Sequence, residues 1–163
     1  MTPSPEGSRL LGIYLNDHLA GATAGVELAR RTRSSNRDDP ELGAALREIC
    51  AEIEADRETL RQTMERLGVR RDPLKPAAAW AAEKLGRLKL NGRMRGYSPL
   101  SRVVELEGLA IGIAGKARMW RSLEATVGEG AIGPDFAALA ERADRQRARV
   151  EELHRVAVLR AFG

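Results

Sequence analysis

Cysteine and aromatic side chains are scarce in this sequence, and long apolar runs are missing altogether. The one cysteine, Cys50, rules out an internal disulfide and suits a reducing compartment, so a cytoplasmic location is expected. Cys50 falls beside an apolar helical seam, where a buried inert thiol is expected rather than a nucleophile. With aromatics at 4%, the core has to be assembled from Leu, Ile, Val and Ala. No stretch approaches the roughly 18 consecutive apolar residues of a membrane span. The opening residues, 1–7, lack the apolar centre of a signal peptide and read as a short disordered tail. No segment alternates with period two for long enough to make a strand. Internal repeats and low-complexity tracts are also absent. Neither charge sign dominates, because 27 basic residues stand against 23 acidic ones.

What is present is helix. At 163 residues and 43% hydrophobic content, the chain is long enough for one domain, taken as 8–163, with a core that needs no staples. Helix starts are marked at Asp39-Pro40-Glu41, Ser98-Pro99 and Gly133-Pro134-Asp135 by an N-cap, a first-turn proline or an acid on the positive end of the dipole. Stops are marked at Gly68 and Asn91-Gly92, both suited to a left-handed C-cap. The spacing predicts helices over 8–33, 40–67, 76–90, 99–124 and 134–161. Four are long and the fifth lies inside a connection running from 68 to 98. A hairpin, a long crossover and a second hairpin is one way to build a four-helix bundle; an up-and-down bundle with an added helix is the alternative. On the third long helix, Gly108, Gly112 and Gly115 lie near the stripe Val103, Leu106, Ala110, Ile113, Ala117 and Trp120. Each costs about 1 kcal/mol relative to Ala, and close approach of a neighbouring backbone is the expected return.

Polar residues interrupt the seams. His18 breaks the stripe Leu11, Leu15, Ala22, Gly25 and Ala29, and Asp56 breaks Leu42, Leu46, Ile49, Ile53 and Leu60. A hairpin turning near residue 37 would set His18 and Asp56 at one height, as a buried pair that fixes register. The same two groups resemble the base and orienter of a catalytic dyad, but the nearest hydroxyls are Tyr14 and Thr59 and no nucleophile is evident. The last helix carries the stripe Phe136, Leu139, Ala143, Gln146, Val150, Leu153 and Ala157, read as a small-residue seam for tight packing. Glu151 and His154 have the Glu-x-x-His spacing that places both on one helix face. Between Val69 and Arg102, nine basic residues face two acidic ones. Arg87, Lys89, Arg93 and Arg95 are the anion-binding candidates there. This basic crossover is either a patch for an anionic partner or an internal salt-bridge network with Glu41, Glu48, Glu52 and Glu65. Nucleic acid is compatible with such a patch and not favoured, since no recognition motif accompanies it.

Three segments, Leu15-Asn16-Asp17-His18-Leu19, Glu52-Ile53-Glu54-Ala55-Asp56-Arg57 and Glu105-Leu106-Glu107-Gly108, together with Glu151-x-x-His154, resemble the corresponding helices of bacterioferritins. The run Leu15–Gly25 and the segment Arg87–Arg93 are similar to actinobacterial ferritin-like proteins of no assigned activity. The resemblance implies an all-α, ferritin-like four-helix bundle with a short helix in its crossover. It also implies a di-iron centre fed by a glutamate and a Glu-x-x-His from each half. Carried over residue by residue, that ligand set is degenerate: Ala22 and Ala51 stand at glutamate positions and Glu54 at a histidine position. The expectation is therefore a non-catalytic binding or structural module with no cofactor, compatible with a homodimer, whose partner is an unspecified protein or anion. The alternative is a metal-binding oxidase or iron-handling protein holding iron or manganese on Glu54, Glu105, Glu151 and His154.

Overall fold

The computed structural model describes residues 4–72, 97–127 and 133–163. It contains four long helices, α1 (Pro5–Ser35), α2 (Leu42–Arg66), α3 (Pro99–Val127) and α4 (Phe136–Phe162), and no strand among the described residues. The chain forms an all-α bundle. No described helix is long and apolar enough to cross a membrane.

Local chemistry sets the helix ends. Ser4 Oγ accepts from Gly7 N at 3.1 Å, with Pro5 in the first turn, so α1 starts three residues earlier than the sequence suggested and takes in part of the expected tail. Asp39 Oδ1 accepts from the backbone N–H groups of Glu41 and Leu42, each at 3.0 Å. Pro40 and Glu41 stay in the turn, and α2 begins two residues later than expected. Gly43 closes that turn tightly: a Cβ there would lie 2.7 Å from the carbonyl oxygen of Arg37. Asp135 caps α4 through Ala138 N at 2.8 Å. Gly68 has the left-handed backbone (φ 66°) anticipated for a C-cap after α2. The helix expected over 76–90 lies outside the described residues.

Side-chain contacts give the directions. α1 packs on α2 and α3, and α3 packs on α4. Leu28 and Arg31 meet Gly108 and Glu105, while Tyr14 reaches Ser122 near the far end of α3, so α1 and α3 are antiparallel. Arg149 holds Glu48 and Glu52 while Arg142 holds Asp56, so α2 and α4 are antiparallel too. It follows that α2 and α3 run parallel on a diagonal. α2 ends beside the start of α1, where Asn16 donates to Arg70 O (3.0 Å) and accepts from Asp72 N (2.8 Å). α3 begins at the opposite end, where Arg102 and Arg160 both reach Asp39. The connection between α2 and α3 therefore leaves one end of the bundle and returns at the other.

The core falls into two clusters. One gathers Val26, Leu46, Ile49, Ile53, Leu106, Ile113 and Val150 with their neighbours. The other gathers Leu15, Leu60, Met64, Met119, Trp120, Leu123 and Phe136. Between them, at the levels of Asp56 on α2, Lys116 on α3 and Gln146 on α4, the interior is polar.

Candidate functional site

Asp56 is the hub of that polar layer. Its side chain is 2% exposed, yet it receives hydrogen bonds from Lys116 Nζ, Arg142 Nη2 and Gln146 Nε2, the last at 3.1 Å. Lys116 also donates to Gln146 Oε1. Burial pushes the Lys116 ammonium below the usual lysine range, and the Asp56 carboxylate opposes that shift. One carboxylate shared by two cations is a satisfied arrangement for a buried acid.

The expected His18–Asp56 contact is not what the structure shows. Gly12 faces Val69, and Arg30 bonds Glu54 at 2.7 Å. In this register Asp56 stands level with Gly25 to Leu28, about two turns from His18. The hairpin turns several residues later than position 37, because α1 continues to Ser35 and Asp39 and Pro40 delay the start of α2. His18 instead meets the Tyr14 ring edge-on, with centroids 4.5 Å apart. Burial lowers the His18 pKa, and the neighbouring Asp17 opposes it more weakly.

His18 and Asp56 nonetheless border the same space. A cavity of about 450 Å³ lies between α1, α2 and α3. Its walls are mostly apolar, with Ile53, Leu60, Leu109, Ile113, Met119 and Trp120. Polar lining comes from Tyr14, Asp17, His18, Asp56, Arg57 and Lys116. Asp17, Gly21 and Gly112 are lining residues that are also solvent-exposed, which places the mouth on the α1–α3 seam.

Glycines create this space. Gly21 and Gly25 on α1 and Gly112 on α3 line it, and a Cβ at any of them would meet nothing within 4 Å. The expectation that the α3 glycines admit a close neighbour holds at Gly108 alone, where Leu28 Cδ2 would lie 3.2 Å from an added Cβ. At Gly112 and Gly115 the neighbouring helix stays away. α1 and α3 touch through Tyr14–Ser122 at one end and through Leu28–Gly108 and Arg31–Glu105 at the other, and part between them.

Two of the lining residues have donors without a protein partner among the described residues, one shut inside the core and one partly solvated. Trp120 is fully buried and its indole N–H has no hydrogen-bond partner among the described residues. Arg57 makes no hydrogen bond or ion pair among the described residues, although its charge helps to hold the Glu58 carboxyl down to about 2, after the direct bonds from Arg61 and Gln62. Asp17, by contrast, is partnered.

The four candidate metal ligands do not gather. Glu54 is held by Arg30, and Glu151 by Arg147 at 3.1 Å. Glu105 is buried between Arg31 (2.7 Å) and the Tyr97 hydroxyl (2.9 Å), and His154 is half-buried on α4. No set of three or more His, Cys, Asp or Glu side chains among the described residues is placed to hold a metal ion. Carboxylates neutralised singly by separate arginines do not fit a shared di-metal centre. Cys50 is buried, its thiol pushed up by burial, as expected of an inert core cysteine.

The anion-binding candidates Arg87, Lys89, Arg93 and Arg95 lie outside the described residues. Of the acids proposed as internal partners of the basic crossover, Glu65 pairs with Arg71 of that stretch as well as with Arg61, while Glu41 pairs with Arg160 and Glu48 and Glu52 pair with Arg149. Lys116, Arg142 and Arg57 escaped sequence reasoning, as did the cavity itself. Gln146 carried a signal, since it breaks an apolar stripe as Asp56 does. No family model matches the chain, and neither a curated protein nor a solved structure matches it.

Proposed function

We propose that this chain is a ferritin-like bundle without the usual metal centre, acting as a non-catalytic binding module for a small, largely apolar molecule held between α1, α2 and α3. The ferritin-like part rests on the parallel diagonal pair α2 and α3 joined by a connection that runs from end to end, together with the sequence resemblance. The binding part rests on one observation: three helix-interior glycines line a cavity, and a Cβ added at any of them would meet nothing within 4 Å. Each costs about 1 kcal/mol relative to alanine, so the three together forfeit about 3 kcal/mol. A domain of this kind has about 5–15 kcal/mol of stability in total. Alanine would fit at each position without a clash, so packing does not account for the glycines; an occupant does. The cavity volume falls in the range of small-molecule sites, and apolar walls with a few convergent polar groups are their usual lining.

Uptake of the uncharged dye N-phenyl-1-naphthylamine tests this reading. The protein should bind it with a fluorescence increase, and Gly25→Leu with Gly112→Leu should abolish uptake while the circular dichroism stays helical. A dye that binds the filled variant as well as the parent contradicts it.

A further inference from the structure

We infer that the cavity is selective for an apolar molecule ending in a carboxylate, whose head is taken by Arg57. The inference rests on the cavity being a ligand site and adds the chemistry of the ligand. Arg57 lines the cavity, is partly solvated, and makes no hydrogen bond or ion pair among the described residues. Asp56 already accepts from Lys116, Arg142 and Gln146, so its charge is neutralised from behind the wall. Asp17 has its own partner. The lining cation that makes no ion pair among the described residues is the Arg57 guanidinium, a planar fork that matches a carboxylate with two parallel hydrogen bonds. His18, kept neutral by burial, adds a polar group without a competing charge.

An amine-headed ligand fits this lining poorly. It would bring a cation to a wall that presents Arg57 and Lys116. An alcohol lacks the charge and cannot present two oxygens to the guanidinium fork. The apolar body would lie along Leu109, Ile113, Met119 and Leu60. The lining from Tyr14 to Gly25 on α1 covers three helical turns, about 16 Å, which accommodates a chain of medium length.

Dodecanoate, dodecanol and dodecylammonium, each below its micellar concentration, separate the possibilities by displacement of N-phenyl-1-naphthylamine and by direct calorimetric titration. Dodecanoate should bind at least tenfold more tightly than dodecanol, with dodecylammonium weakest. Arg57→Gln should remove most of the carboxylate's advantage and leave dodecanol unchanged, and Arg57→Lys should restore part of it. Equal binding of dodecanoate and dodecanol, or an unchanged ratio in Arg57→Gln, overturns the head-group assignment while leaving the cavity as a site. Failure of the dye and all three ligands to bind overturns both. Arg57 is partly solvated and makes no ion pair among the described residues, so the variants are expected to fold; matching circular dichroism spectra check this.

Discussion

Asp56 carries more of the interior than any other polar residue. Its carboxylate is enclosed and stands against two cations, so removing it leaves Lys116 facing an apolar wall with no counter-charge. Asp56→Ala should destabilise the protein by about 3–5 kcal/mol, the usual consequence of deleting one partner of a buried pair. Replacing both Asp56 and Lys116 with Leu should recover much of that loss in urea melts, because Arg142 is 36% exposed at its side chain and can turn to water. A neutral Asp56→Ala contradicts the network. His18 makes a separate prediction. Burial holds its folded pKa below the unfolded value near 6.5, so the unfolded chain binds the proton more readily. Its contribution is present above pH 6.5 and is lost as pH falls through the lower folded value. Urea midpoints should fall between pH 7 and 5.5, and His18→Gln should flatten that slope. At this scale the sequence was partly legible. An acid on an apolar seam announced a buried partner, as Asp56 has. Its identity was not readable, because Lys116 and Arg142 come from helices whose rotation about their axes no local pattern specifies.

At the scale of the element, capping chemistry was the most readable part. Asp39, Asp135 and Gly68 do what their residue types require, and the four long helices stand within a few residues of where periodicity put them. The error at α2 is only two residues. Combined with the two extra residues at the end of α1, it moved the hairpin register enough to separate His18 from Asp56. Gly112 and Gly115 on α3 were misread in sign, because a small residue permits either close packing or empty space and only the neighbour decides. The glycine environments now predict different outcomes for one substitution. Gly21→Ala, Gly25→Ala and Gly112→Ala should each raise stability by about 0.5–1 kcal/mol. Gly43→Ala should lower it, since its Cβ would press on the Arg37 carbonyl, and Gly68→Ala should cost about 1 kcal/mol through its left-handed backbone. Denaturant midpoints of the five variants check the pattern. Equal shifts across all five would contradict it.

At the scale of the molecule, length and periodicity were sufficient for an all-helical bundle, while the long connection left both a crossover and an up-and-down bundle open. The cavity was invisible, because it arises where α1 and α3 diverge between two sets of contacts and depends on three helices at once. Its two boundaries are the core clusters on either side of the Asp56 layer. Well-packed ends thus flank a middle in which stability has been given up. That trade is the central claim, and Gly21→Ala, Gly25→Ala and Gly112→Ala combined in one chain test it most directly. Calorimetric melting and N-phenyl-1-naphthylamine uptake are read on the same sample. The combined variant should melt about 4–12 °C higher than the parent, following a gain of about 2–3 kcal/mol, and should lose most of its dye binding. A variant that gains stability and still takes up the dye, or one that loses stability, would contradict the claim that these glycines hold the cavity open for a ligand.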